Sequence, residues 1–471
     1  MSDAELAAPP AQPMRGDLTQ GPIMRTLILF SLPTLLGNVL QTLNGSVNSV
    51  WIGRLLGESA LAATANANIV MFLVFAAIFG FSMAATIKVG QSFGARNLDA
   101  ARRTFGTAVG FCVLLSLGIA LAGWLLAPNL LTLLALPEMS RPLALTYLRV
   151  IFLVMPGMTV TVMISMSLRG AGDAKTPLWF MILTVVLDII LNPLLIAGLG
   201  PFPKMGIAGS ATATAIATMT GLAAMVGWIY LRDLPLRLRG AELGYLIPRR
   251  DELAYIVRKG LPMGAQMLVI SGAGIIMIGL VNREGLLVSA AYGVLLQLWN
   301  YIQMPSLAIG AAVSAMVAQH IGARREERVD AISRGAALAN LAMTGVLVAL
   351  LVLFDRPALD LFLGSKSPSV PIAVHIQWLA IWSYLPFGIT IVLFGTLRAY
   401  GVVYVQLIVL LVAMYLVRLG YYWLAYPIFG SDALWHSFVI GSVVSMALTV
   451  AVYFLGSWRK VMKAHLSQSA G

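Results

Sequence analysis

Apolar positions in this chain do not alternate with polar ones, and they do not form narrow stripes. They come in long unbroken runs, near residues 27–51, 60–88, 104–127, 144–168, 177–199, 205–231, 255–281, 286–317, 332–353, 374–397, 403–427 and 433–457. A helix needs about 20 apolar residues to cross the hydrocarbon core of a bilayer, and each run supplies roughly that. A membrane β-barrel would show short alternating segments instead. The pattern therefore predicts an all-α membrane protein with twelve transmembrane helices. The residues before the first run, MSDAELAAPPAQPMRGDLTQG, have no apolar core of the signal-peptide kind. They read as a short disordered tail, and the first run reads as a span.

Composition agrees with this pattern, since 59% of residues are hydrophobic, 11% are charged and mean hydropathy is +0.88. A soluble domain is nearer half apolar and a quarter charged, so the solvent expected for this chain is lipid. The net charge of +12 changes meaning once it is placed on the topology. Of the 31 Lys and Arg, 22 fall in the tails and even-numbered connections, six in the odd-numbered connections and three within spans. That asymmetry puts both termini in the cytoplasm by the positive-inside rule. It also removes nucleic acid as a partner, because the positive charge is topological. The most basic connection, LRDLPLRLRGAELGYLIPRRDELAYIVRKG, is expected to lie along the inner membrane surface as a partly amphipathic linker. The single cysteine, Cys112, excludes an internal disulfide and any multi-cysteine metal site. His320, His375, His436 and His465 lack metal-ligand spacing. No phosphate-binding loop points to ATP. No nucleophile–base pair is visible, so neither an enzyme nor a cofactor is expected.

The two halves of the chain resemble each other. Ser31-Leu32-Pro33 matches Gly260-Leu261-Pro262 at an offset of 229. QSFGARNLDAARR from Gln91 matches QHIGARREERVDAISR from Gln319 at 228, and LRGAG from Leu168 matches LRAYG from Leu397 at 229. With six spans per repeat, the second half enters from the same side as the first. The halves are then related by an axis along the membrane normal, an arrangement found in transporters that alternate access by moving one half against the other. The expected organisation is a tail (1–24), an N-terminal six-helix lobe (25–231), a linker (232–254), a C-terminal six-helix lobe (255–457) and a second tail (458–471).

Against this apolar background one residue stands out. Eighteen of the 19 acidic residues lie in tails, connections or span edges, and only Asp188, in LTVVLDIILNPLLI, lies deep in a span. A charge at the bilayer centre costs on the order of 2.5–3.5 kcal/mol, and such residues mark ion or proton paths. Burial disfavours the charged form, so the position suits a carboxyl that takes up and releases a proton near neutral pH. Asn192 follows at i+4 on the same face. Pro193 has no N–H and leaves the carbonyl of Ile189 without its helix donor. The site thus offers oxygens and one negative charge. The alternative is an Asp that only bonds one helix to another. Asn44, Asn48, Asn66, Gln266, Gln297, Asn300 and Gln303 are able to line a cavity or to bond helix to helix. Lys88 reads as a snorkelling residue. Arg149 lies near the start of its span, and Arg418 is deep enough to require a partner.

SLPTLLGNVLQTLNGSVNSVWIGRLLG, the GAR-containing stretch, LRGAGDAKTP and NPLLIAGLGPFPKMGIAGSATATAIA together resemble the multidrug and toxic compound extrusion (MATE) family. The DinF-like branch looks closer than the NorM-like one. The resemblance covers nearly the whole chain. It implies a twelve-helix antiporter in two six-helix lobes that exports organic cations or amphiphilic drugs in exchange for protons or sodium ions. It also implies residence in a bacterial inner membrane as a monomer. The DinF-like cation site has an Asp on span one, an Asn and an Asp one turn apart on span five, and a Thr on span six. The matching positions are Asn48, Asp188, Asn192 and Thr214. Two departures follow: Asn48 replaces an Asp, and the span-five order is reversed. Ile270 stands where the NorM-like branch has an acid, so the weight of coupling falls on Asp188. Pro33 matches the proline about which span one is thought to bend. One carboxylate suits protons better than sodium. The competing reading is a lipid or lipid-linked oligosaccharide flippase of the related superfamily. Such flippases carry several basic residues in the cavity, and few basic residues lie at membrane depth here.

Overall fold

The computed structural model describes residues 16–133, 140–364 and 366–460, and no strand occurs among them. Twelve described helices are long and apolar enough to cross a membrane. They are Ile23–Leu56 (span one), Glu58–Gly94 (two), Leu98–Thr132 (three), Arg141–Gly170 (four), Lys175–Ala197 (five), Ile207–Leu231 (six), Arg250–Arg283 (seven), Leu286–Gly322 (eight), Glu326–Leu353 (nine), Ser369–Ala399 (ten), Val403–Phe429 (eleven) and Asp432–Lys460 (twelve). Helices meet the demand that lipid makes, because each satisfies its own backbone polar groups. Several are longer than the apolar runs that announced them. Span three begins at Leu98 rather than near 104, because the Asn97 side chain caps the N–H of Ala100 at 2.9 Å and starts the helix in the polar region. Two spans are irregular. Span ten passes through a 3-10 turn at Ile381–Ser383, and span eleven through a π-helical stretch at Val412–Val417. A nine-residue helix, Asp355–Leu363, lies between spans nine and ten and is too short to cross.

The repeated motifs lie at the face that bears the first and last described residues, 16 and 460 (the terminal-bearing face), and their roles are equivalent. Each ends a helix with a left-handed residue: Arg96 (φ 57°), Gly172 (φ 82°), Arg324 (φ 56°) and Gly401 (φ 72°). The next N–H bonds back to the helix each time, from Asn97 to Ser92, Asp173 to Leu168, Arg325 to His320 and Val402 to Leu397. The two halves then grip each other reciprocally. Gln91 donates its side-chain N–H to the carbonyl of Ala399 at 2.9 Å. Gln319, its counterpart, donates to the carbonyl of Gly170 at 3.0 Å, and Gly170 is the counterpart of Ala399. Spans two and eight form the seam. Nearly every residue is buried from 76 to 93 in one and from 302 to 320 in the other. Over the opposite halves of these helices burial becomes sparse. The lobes are therefore packed together at the terminal-bearing face and part toward the other.

Two expectations about the connections are corrected. Residues 16–22 are not a free tail. Leu18 is buried, and its N–H donates to Gln319 Oε1 at 2.8 Å. Arg328 donates to the carbonyls of Thr19 and Gly21, each at 2.7 Å. A short stretch with one leucine gives no apolar run to read, yet it closes the lobe boundary. The reading of residues 1–15 lies outside the described residues, as does that of 461–471. The basic linker is packed on the protein and ends earlier than expected. Leu234, Leu236 and Leu238 are buried. A 3-10 helix at Gly240–Leu246 packs on span three, where a Cβ at Gly106 or Gly110 would overlap the backbone of Tyr245 or Leu246. Arg102 and Glu242 pair at 2.7 Å across that contact. Span seven then begins at Arg250, so residues 250–254 are helix rather than linker.

Candidate functional site

Span five is helical through Pro193, and Asp188 sits one turn before it, only 1% exposed. Its carboxylate accepts four hydrogen bonds. Asn44 Nδ2 donates to Oδ2 at 2.8 Å and Asn48 Nδ2 to the same oxygen at 2.7 Å. Asn192 Nδ2 and Thr214 Oγ1 each donate to Oδ1 at 3.0 Å. Asn48 and Asn192 also touch each other, at 3.1 Å. The four residues named by resemblance thus meet at one point, drawn from spans one, five and six. Asn44, expected to line a cavity or to bond helix to helix, joins them and bonds span one to span five. Its spacing of four from Asn48 puts both amides on one face of span one, and that signal was present in the sequence.

The charge of Asp188 has no basic partner among the described residues. Tyr147 on span four is within electrostatic reach. Two buried amide oxygens, Asn44 Oδ1 and Asn192 Oδ1, accept nothing. Buried polar atoms are almost always satisfied, so each orphan needs a reason. Asparagine offers one: an amide turned over presents oxygen where it now presents N–H. As oriented, the amides present N–H to the carboxylate; turned over, they would present oxygen.

The other polar residues are placed differently. Gln266 is buried and donates to the carbonyl of Val403 at 3.1 Å, tying span seven to span eleven. Asn66 bonds within its own helix, and Gln303 bonds Asn300 at 2.7 Å. Gln297 is half-buried. None of these reaches Asp188. Pro33 is buried within a span one that stays helical around it. Lys88 lies over the Tyr255 ring at 5.2 Å and Arg149 over Trp124 at 5.5 Å. Arg418 faces the Phe438 ring with its guanidinium carbon 3.4 Å from the centroid.

Two six-span repeats sealed at one face, with a lone buried carboxylate in one of them, define a membrane carrier. The MatE family model matches residues 33–194 and 262–424, one match in each half, and the chain belongs to that family, whose members are transporters rather than enzymes. It is 35% identical over 381 residues to probable multidrug resistance protein YoeA of Bacillus subtilis, covering 81% of this chain and 82% of that one. It is 32% identical to probable multidrug resistance protein YpnP of the same organism, covering 95% and 98%. A solved structure described as the outward-facing conformation of a multidrug resistance MATE family transporter superposes with a TM-score of 0.86. That match has 21% identity and covers 96% of this chain and 99% of that chain.

Proposed function

We propose that this protein is a secondary multidrug exporter of a bacterial plasma membrane, with both termini cytoplasmic, that releases organic cations or amphiphilic drugs in exchange for protons taken up at Asp188. The observation that carries the reading is the Asp188 carboxylate, buried without a counter-ion and held across three spans by neutral groups. Two of its four bonds come from span one, through Asn44 and Asn48. A proton on Oδ2 takes one of the two lone-pair directions that these amides now share. At least one amide must then turn over so that its oxygen receives the carboxyl O–H. Protonation thus rewrites the contact between spans one and five, and Pro33 gives span one a place to yield. Exchanged one for one with a monovalent organic cation, the proton is driven in by its concentration gradient, since the electrical terms cancel; for a neutral amphiphile the inward charge also gains about 2.3 kcal/mol per 100 mV of membrane potential. The orphaned amide oxygens favour a second reading, in which the ion is sodium and the turned amides supply ligands beside the carboxylate and Thr214.

The test is dye efflux from energised vesicles, with a proton gradient alone and then a sodium gradient alone. Transport is expected to follow the proton gradient and to vanish in Asp188→Asn. Dependence on sodium alone selects the second reading. Undiminished transport in the variant would show that Asp188 is structural and would end both.

A further inference from the structure

The stretch before span one is built as a strap between the lobes. Asp17 Oδ1 accepts the N–H of Thr19 at 2.9 Å and its hydroxyl at 2.6 Å, which folds residues 17–19 into a self-contained turn. Gly16 and Gly21 bound this turn with left-handed backbone (φ 93° and 81°), where the chain bends sharply. Leu18 joins the apolar cluster that brings Met83 and Met166 of the N-terminal lobe together with Val313 and Ile332 of the C-terminal lobe.

The strap meets the two lobes by different means. Among the described residues, every hydrogen bond it makes to a lobe goes to the C-terminal one. Gln319 Nε2 donates to the carbonyl of Gly16 at 3.3 Å, and Gln319 Oε1 accepts the N–H of Leu18 at 2.8 Å. Arg325 donates to the carbonyl of Thr19 at 3.2 Å, and Arg328 donates to those of Thr19 and Gly21. Bonds from a guanidinium are roughly twice as strong as neutral ones. The N-terminal lobe is met at Ala171 and Gly172 by backbone packing alone. A Cβ at Gly16 would overlap the carbonyl oxygen of Ala171, and one at Gly172 would overlap that of Gly16. Span one continues this division. Its first turn packs on span nine, where a Cβ at Gly335 would meet the Met24 sulfur at 2.8 Å, whereas Asn44 and Asn48 bond Asp188 in the N-terminal lobe. The arrangement is not repeated in the other half: the side chain of Gln91, the counterpart of Gln319, bonds only Ala399 among the described residues.

We propose that residues 16–22 are the bolt of the terminal-bearing face: the strap stays on the C-terminal lobe, and the face opens when Ala171 and Gly172 draw away from it. Parting on that side breaks packing and no hydrogen bond of the strap, so it is the weaker side of the joint. The seating of the strap then sets the ratio of closed to open protein. The proposal rests on the exchange reading, in which this face opens, but it is tested without an ion gradient or a drug.

The experiment is double electron–electron resonance on the purified full-length protein in lipid nanodiscs, in a Cys112→Ala background. Spin labels at Lys175→Cys and Glu327→Cys, both exposed, report the separation of the lobes. A label at the exposed Gln20→Cys, paired with each of these in turn, reports where the strap goes. Leu18→Asp puts a charge into the apolar cluster, and Gly16→Val pushes the strap off Ala171 while leaving the bonds of Arg328 in place. Each is expected to raise the open-to-closed ratio by about tenfold or more, seen as a longer Lys175–Glu327 distance. In the opened fraction the Gln20–Lys175 distance should lengthen and the Gln20–Glu327 distance should stay. Gln20→Ala, whose side chain bonds only Asp17, should leave the lobes closed. Three results would overturn the proposal: no longer component in either strap variant, a strap that stays with Lys175 and parts from Glu327, or an equal opening in Gln20→Ala. The proton reading stands or falls on transport by Asp188→Asn, which these distances do not involve, so the two fail separately.

Discussion

Asparagine suits the role proposed for Asp188, because an amide can face a carboxylate or a cation with equal ease. Replacing Asn48 by Asp removes that freedom. The new carboxyl would lie where Asn48 Nδ2 now sits, 2.7 Å from Asp188 Oδ2, and two carboxylates that close cannot both ionise. The folded pair then holds a proton that the unfolded chain, with Asp near pH 3.9, has released. Asn48→Asp is therefore expected to lose stability relative to wild type as pH rises and to regain it as pH falls. Thermal unfolding in detergent across pH checks this, and a difference that does not change with pH would contradict it. Asn192→Ala removes a donor to Oδ1 and the contact with Asn48. It should cost about 1–3 kcal/mol of stability and leave transport impaired rather than absent, because three donors to the carboxylate remain.

At the scale of elements, the GAR motif shows why this repeat was visible in the sequence. A Cβ at Gly94 would overlap the carbonyl oxygen of Gln319, and one at Gly322 would overlap that of Gln91. The motif glycines let spans two and eight cross backbone to backbone, and the arginine that follows each one ends its helix. Gly94→Val and Gly322→Val are each expected to destabilise the protein by about 1–3 kcal/mol or more, since the clash is with backbone that cannot swing aside. The midpoint of thermal unfolding measures it, and a neutral outcome would mean that the crossing is looser than described. The twelve spans, their approximate centres and the offset were legible, because a long apolar run and a repeated turn are local signals. The π-helical stretch of span eleven was not legible. VAMYLV reads as ordinary apolar helix, and only its packing shows the wider turn. The ordering of residues 16–22 was hidden for the same reason: their partners, Gln319 and Arg328, are some 300 residues away.

For the whole molecule, the symmetric pair Gln91–Ala399 and Gln319–Gly170 holds the terminal-bearing face shut. Under the exchange mechanism proposed, these bonds break together when this face opens. The double variant Gln91→Ala/Gln319→Ala should populate the state open on that face. A cysteine introduced at Ala315, now 1% exposed on the lobe boundary, reports it in a Cys112→Ala background. Maleimide labelling from the terminal-bearing side is expected to rise in the double variant. Unchanged labelling would show that the buried seam of spans two and eight, rather than the glutamines, keeps this face closed. The same labelling, applied to right-side-out and inverted vesicles, tests whether that side is the cytoplasm.

The sequence by itself determined the class of solvent, the number of spans, the duplicated plan and the one acidic residue inside the membrane. Each follows from composition or from local order along the chain, because lipid forces every span to satisfy its own backbone. Only the tertiary structure decided how the charges are answered. Asp188 meets four neutral donors from spans one, five and six, while Arg418 faces the Phe438 ring of span twelve. Those partners lie on helices distant in the chain, and it is packing between helices that selects which polar groups share a site.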